Sequence, residues 1–141
     1  MLRYSVPSAA DADVAWALVA EPSRWHEWSP HVRGAWGLGD GEVESSALGA
    51  ARLFGVLPVP ARIDIVEKSA ERRHWVWKVG LVKIDHEVRT DPDGCTIVLT
   101  CHAPAALEPV IRFTYWPIVK LLVDRLATVA EDALPRTPAY A

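Results

Sequence analysis

Residues 82–89 read VKIDHEVR, a run in which every odd-numbered residue is charged and every even-numbered residue except His86 is aliphatic. Side chains alternate between the two faces of a β-strand, so this period predicts one buried face and one solvated face. Strands that are covered on one side only are typical of antiparallel sheets. The run therefore predicts an antiparallel sheet with Ile84 and His86 on its buried face.

The neighbouring segments predict further strands of the same sheet. Trp75 and Trp77 alternate with His74, Val76 and Lys78, and a similar period places Leu99 on the buried face. Turn signals such as the DPDG sequence at residues 91–94 separate the runs, and six strands fit between residues 32 and 103. With a first strand near residues 2–6, the sequence predicts seven strands.

Helical patterns occupy both ends of the chain. A short helix is expected between Ser8 and Pro22, and residues 105–133 place Ile118 and Leu122 on the apolar stripe of a long helix. Pro117 removes a backbone hydrogen bond inside this run, so we expect the helix to kink or divide after Trp116 and to hinge there as a lid. The order of elements predicts an α+β fold in which the C-terminal helix covers the apolar face of the sheet.

Composition restricts the class of protein. The 141 residues are 50% hydrophobic and 23% charged, which indicates one globular domain, assigned to residues 1–134 with a loose tail at 135–141. A net charge of −3 without a basic cluster argues against nucleic acid as a partner. No uncharged run reaches the about 18 residues that are needed to span a bilayer, so we expect a cytoplasmic protein.

Cys95 and Cys101 lie too far apart on one strand to form a disulfide.

Three segments resemble the START-like (SRPBCC) superfamily. They are residues 14–19 (VAWALV), residues 22–30 (PSRWHEWSP) and the WVW strand at residues 75–77, together with the amphipathic C-terminal helix. The resemblance implies a helix-grip fold whose curved sheet and long helix enclose a cavity for apolar molecules. Its members include lipid carriers, polyketide cyclases and dehydratases, and chaperone activators, so the fold alone leaves the function open.

The spacing of residues along the sequence argues against several kinds of functional site. His26 and His31 are five residues apart with Pro30 between them, which does not match the paired histidines of a zinc helix. The glycines at residues 34–41 lack the strand-to-helix context of a phosphate-binding loop, and there is no Gly-x-Ser-x-Gly nucleophile motif. We therefore expect neither a metal nor a cofactor.

The residues expected to line a cavity are mainly aromatic and aliphatic. They are Trp28, Trp75, Trp77, Ile84, His86, Leu99, Tyr115, Ile118 and Leu122. His86 is interpreted either as a core histidine or, with Tyr115, as a proton-transfer group. The tryptophans form either the wall of the cavity or the material that fills it.

Three functions stay open at this point. The leading hypothesis is binding or transport of a hydrophobic small molecule of lipid, polyketide, isoprenoid or aromatic type. The second is a cofactor-free polyketide cyclase or dehydratase that uses His86 and Tyr115. The third is a protein-interaction module that docks through the outer sheet face or the turn at residues 25–28, and a homodimer is also open.

Overall fold

The computed structural model describes residues 1–30, 32–39, 41–53, 57–69 and 71–132, with only the backbone described at positions 33, 53, 57 and 65. The expected tail at 135–141 and His31 lie outside the described residues. The strands are β1 (Leu2–Ser8), β2 (Val32–Trp36), β3 (Leu48–Leu53), β4 (Leu57–Lys68), β5 (Arg72–Val79), β6 (Val82–Asp91) and β7 (Gly94–His102). The helices are α1 (Ala12–Ala20), a 3-10 helix at Pro22–Glu27, α2 (Glu108–Thr114) and α3 (Trp116–Asp132).

The strands form one seven-stranded sheet in the order β1-β7-β6-β5-β4-β3-β2, with every described pair antiparallel. In its register, His86 lies opposite Trp75 on one side and Leu99 on the other. The register of β4 shifts between Ile63 and Val66, an irregularity of the kind that bends a strand and increases its twist. The α+β helix-grip fold expected from the sequence is confirmed.

Helix α3 covers the concave face of the sheet. Its buried residues recur at helical spacing and are Trp116, Val119, Val123, Leu126, Ala127 and Ala130. On the sheet side, Trp75, Ile63 and Ile97 are almost fully buried. The hydrophobic core therefore lies between the sheet, α1 and α3.

The C-terminal helical run is divided, as Pro117 predicts, but the break falls at Tyr115 rather than after Trp116. Proline lacks the N–H that would bond to the carbonyl of Phe113, and it also disfavours helical backbone at the preceding residue. None of the residues of α2 is buried. The single stripe that we expected across the whole run is therefore wrong.

The convex face of the sheet carries paired charges. Glu87 is only 5% exposed and accepts hydrogen bonds from the guanidinium groups of Arg72 and Arg89. His74 lies on this face as expected, but it is buried, with Nδ1 and Nε2 each 3.0 Å from a carboxylate oxygen of Asp85 and Glu67. The expected polar outer face is present, and its groups are joined across β4, β5 and β6.

Strand β7 holds both cysteines and a glycine that its turn requires. Cys95 and Cys101 are buried and unpaired, and burial raises the pKa of the Cys95 thiol to about 11. Gly94 has φ +143°, and a Cβ placed there would lie 2.3 Å from the carbonyl oxygen of Ser8. The close pairing of β1 with β7 at this point therefore depends on the missing side chain.

Candidate ligand-binding cavity

A cavity of about 330 Å³ lies between the concave face of the sheet, the 3-10 helix and α3. Its wall is predominantly aliphatic and aromatic. The lining residues are Trp25, Trp28, Ser29, Val32, Ala51, Val59, Trp75, Trp77, Val79, Val82, Ile84, His86, Leu99, Tyr115, Val119, Leu122 and Val123. The tryptophans thus form part of the wall and leave a volume unfilled.

The structure brings most of the residues proposed from the sequence to this wall. Those that line the cavity are Trp28, Trp75, Trp77, Ile84, His86, Leu99, Tyr115 and Leu122. The inward position expected for Ile118 is wrong, because its side chain is 46% exposed. Helix α3 turns Val119 and Val123 inward instead, and the single helical phase that we assumed does not continue through the break at Tyr115.

Sequence reasoning missed Trp25 and much of the aliphatic lining as site residues. Val79 and Val82 continue the inward period of Trp75, Trp77 and Ile84, so the strand pattern carried a signal for them. Trp25 gave no such signal, because it lies in a 3-10 helix and its stacking partner Trp75 is distant in the sequence. Trp25 itself is buried, so it adds no exposed surface to the turn at residues 25–28 that was one of the two docking surfaces considered.

The indoles of Trp25 and Trp28 are fixed by backbone carbonyls of α1. Trp25 Nε1 donates to the carbonyl of Val19 and Trp28 Nε1 to that of Leu18, each at 2.8 Å. These bonds satisfy two buried donors and attach the 3-10 helix to α1. The hydrogen bonds therefore hold both indoles in fixed positions in the cavity wall.

An aromatic stack forms the floor of the cavity. The ring of Trp25 is stacked on Trp75 with centroids 5.6 Å apart, and Trp75 is stacked on His86 with centroids 3.9 Å apart. Trp77 meets Trp75 and Trp25 edge-on, at 5.9 and 5.4 Å. Stacked and edge-on contacts are the favoured geometries for aromatic pairs, so this floor is well ordered.

His86 is the titratable group of this floor. Burial lowers its pKa to about 4, although the nearby backbone carbonyls of Trp75 and Ile84 act in the opposite direction. Its Nδ1 is buried without a hydrogen-bond partner, and so is Nε1 of Trp75. The imidazole is therefore neutral at pH 7, with part of its surface still accessible within the cavity wall.

Tyr115 reaches the cavity from the break between α2 and α3. Its side chain is 40% exposed, yet loss of hydration around the hydroxyl raises the pKa of this group. Among the described residues, no hydrogen bond joins Tyr115 to His86. The two residues line one cavity as separate polar groups.

Charged side chains are absent from the described lining of the cavity, whose polar groups are limited to Ser29, His86, Tyr115 and the tryptophan N–H groups. Across the described ranges, no cluster of histidine, cysteine and carboxylate residues has the geometry to hold a metal ion. The arrangement is thus suited to enclosing an apolar molecule and to hydrogen bonding with a neutral polar group.

Residues 2–135 match the family described as polyketide cyclase / dehydrase and lipid transport. The chain belongs to this family. The resemblance expected from the sequence is therefore confirmed over nearly the whole chain. No curated protein sequence matches it.

Solved structures with low sequence identity share the fold of this member of the polyketide cyclase / dehydrase and lipid transport family. Hypothetical protein jhp0584 from Helicobacter pylori has a TM-score of 0.72 at 12% identity, covering 91% of this chain and 86% of that one. Protein NE0264 from Nitrosomonas europaea has a TM-score of 0.69 at 11% identity, with coverage of 93% and 94%. DynU16, a protein in the dynemicin biosynthetic locus, has a TM-score of 0.59 at 15% identity, covering 90% of this chain and 47% of its own.

Exposed large apolar side chains in this family member lie on helices and also on the sheet, where Leu48 of β3 and Leu81 after β5 are each 75% exposed. Phe113 is 78% exposed, and Val110 and Leu121 are also exposed. In the described part of the chain, no helix is both long and apolar enough to span a membrane. Exposed apolar side chains therefore lie together in the sequence of α2 and the start of α3.

Proposed function

We infer that the protein binds or carries a hydrophobic small molecule of lipid, polyketide, isoprenoid or aromatic type in the cavity between the sheet and α3. The observation that supports this function is the volume of about 330 Å³ left open inside an apolar wall. An engineered apolar cavity of about 150 Å³ already binds benzene, so a volume about twice as large accommodates a bigger ligand. The family description, which includes lipid transport, agrees with this function.

Apolar burial provides the driving force for such binding. Removing apolar surface from water contributes about 25 cal/mol per Å², and a wall that is already formed avoids the cost of ordering side chains on binding. The bonds of Trp25 and Trp28 to α1 hold that wall in place before a ligand arrives. The cavity is therefore preorganised for an apolar guest.

The first experiment is native mass spectrometry of the protein purified from its own host. We expect a retained apolar molecule, and we expect Leu122→Trp to lose it because the larger side chain fills the cavity. Leu121→Trp is the matched control, since Leu121 is the exposed neighbour on the same helix. Equal retention by the two variants would place the ligand elsewhere and contradict this function.

A second function, cofactor-free cyclisation or dehydration of a polyketide-type chain, is favoured by one observation. His86 and Tyr115 line the same cavity, and the neutral imidazole is in the protonation state that a general base requires. In this function, the His86→Phe and Tyr115→Phe variants retain the ligand but no longer convert it. Incubation of the co-purified molecule followed by chromatography and mass analysis tests this. Dehydration removes one water, cyclisation without dehydration changes the retention time at constant mass, and simple carriage changes neither.

A further inference from the structure

We propose that the cavity selects uncharged ligands of two or three fused rings that carry a hydroxyl group bonded to His86, and that it rejects carboxylates and phosphates of the same size. This inference rests on the proposed binding function and specifies its ligand class. It follows from the charge, the size and the polar groups of the cavity wall.

The lack of positive charge in the described wall disfavours the binding of anions. The described lining contains no lysine or arginine, and the basic and acidic residues of β6, such as Lys83 and Glu87, lie on the opposite face of the sheet. A carboxylate transferred into such a wall loses its hydration and finds no cation to replace it. An uncharged ligand of the same shape does not incur this cost.

His86 does not supply the missing positive charge at neutral pH. Burial leaves the ring uncharged, with a pKa of about 4, and the groups that face it are also uncharged. They are the indole of Trp75, the side chain of Leu99 across the strand pair, and the backbone carbonyls of Trp75 and Ile84. A neutral imidazole has one N–H donor and one nitrogen acceptor. A hydroxyl group pairs with either nitrogen, because it both donates and accepts.

The unpaired nitrogen of His86 supports such a bond. His86 lines the cavity, and its Nδ1 is buried without a hydrogen-bond partner among the described residues, so a ligand hydroxyl would supply the missing partner. The ring is held flat against Trp75, which fixes the direction of its nitrogen atoms. A hydroxyl of a ligand that lies on the aromatic floor therefore meets a fixed partner.

Size and wall chemistry favour fused rings. The cavity has about twice the volume of one that holds a single benzene ring. Trp77 and Trp25 meet at an interplanar angle of 64°, so they present both a face and an edge to a planar guest. A rigid ring system also loses less conformational entropy on binding than a flexible chain of equal area.

Isothermal titration calorimetry at pH 7.5 with four probes tests the proposal. The isosteric pair 2-naphthamide and 2-naphthoate differs in charge, 2-naphthol carries the hydroxyl, and 1-dodecanol is a neutral flexible chain. We expect 2-naphthol to bind most tightly and 2-naphthoate to bind at least tenfold more weakly than 2-naphthamide. Binding of 2-naphthoate within threefold of the amide would overturn the charge selection.

The remaining outcomes separate this proposal from the proposed function. Binding of 1-dodecanol without any of the naphthalene probes overturns the ring class and leaves the binding of apolar molecules standing. Failure of all four probes, together with an empty protein in native mass spectrometry, overturns both.

A variant pair tests the hydrogen bond. His86→Phe retains a ring against Trp75 and removes the nitrogen atoms, so we expect 2-naphthol to bind threefold to tenfold more weakly while naphthalene is unaffected. His102→Phe is the matched control, since His102 is exposed and lies outside the cavity lining. Unchanged 2-naphthol affinity in a folded His86→Phe protein would overturn the assignment of this bond.

Discussion

The imidazole of His86 lies flat against the indole of Trp75, with ring centroids 3.9 Å apart and planes inclined by 4°. Trp75 is only 1% exposed, because its other face is covered by Trp25. The stack joins β6, β5 and the 3-10 helix in one contact. Protonation of His86 would introduce a charge into this stack, so its titration is linked to folding.

Stability is expected to fall as the pH is lowered through the range in which free histidine titrates. The unfolded chain takes up a proton at His86 near pH 6.5, whereas the folded protein does so only near the lowered pKa of about 4. The stabilisation is complete above pH 6.5 and is lost progressively between pH 6.5 and 4. We expect His86 to account for a loss of about 2 kcal/mol in the free energy of unfolding between pH 7.5 and 5.0.

Urea denaturation of wild type and His86→Phe at the two pH values measures this term. Between pH 7.5 and 5.0, the free energy of unfolding of the variant is expected to fall by about 2 kcal/mol less than that of wild type. His102→Phe makes the same change at an exposed site and is expected to follow wild type. If the His86→Phe and His102→Phe profiles coincide, His86 titrates normally in the folded protein.

Replacing Trp75 with phenylalanine is expected to destabilise the protein by about 2 kcal/mol, since it removes buried area and weakens two stacked contacts. Trp36→Phe is the control. Trp36 is half-exposed on β2, where its partner is the guanidinium of Arg52 at 5.7 Å, and we expect a change within about 0.5 kcal/mol. Thermal denaturation compares the two, and equal shifts in Tm would show that the stack contributes nothing particular to stability.

The turn between β6 and β7 is expected to reject a side chain at Gly94. Gly94→Ala places a Cβ against the Ser8 carbonyl, and the resulting backbone shift should cost about 3 kcal/mol or more. Gly80→Ala meets open space and has φ +58°, the left-handed helical value that costs an alanine little, so about 1 kcal/mol is expected. Urea denaturation that gave the same cost for both would place β1 farther from Gly94 than this pairing allows.

Helix α2 is expected to exchange its amide hydrogens faster than α3. Packing gives most helices their stability, and α2 has no buried residue. Pro117→Ala restores a donor for the Phe113 carbonyl and should slow exchange in residues 111–115 by joining the two helices. Peptide-level hydrogen exchange tests this, and equal protection of α2 and α3 in wild type would argue against a hinge at Pro117.

The strand faces could be predicted because each residue of β5, β6 and β7 is constrained by a period of two and by one solvated side of the sheet. That period placed Trp75, Ile84 and Leu99 correctly on the inner face. The role of Trp25 could not be predicted in this way, because its stacking partner is about fifty residues away in the sequence and no local pattern joins them.

The helix phase and the cavity volume also could not be predicted from local sequence patterns. Pro117 revealed a break, but the rotation of α3 that buries Trp116 and Val119 and exposes Ile118 depends on packing with elements distant in the sequence. The open volume is the small difference between a large enclosed space and the side chains that enter it. Seven tryptophans are compatible with a filled core or with an open one, and only their orientations distinguish the two.

The buried thiols of β7 make the folded protein inert to maleimides. Thiol reagents attack the thiolate, and burial raises the pKa of Cys95 to about 11 and also raises that of Cys101. A cysteine introduced at the exposed Leu121 would therefore be a single attachment point for a spin label or dye, with both native thiols retained. The rate at which Cys95 and Cys101 are slowly modified would then report how often β7 separates from its neighbours β1 and β6.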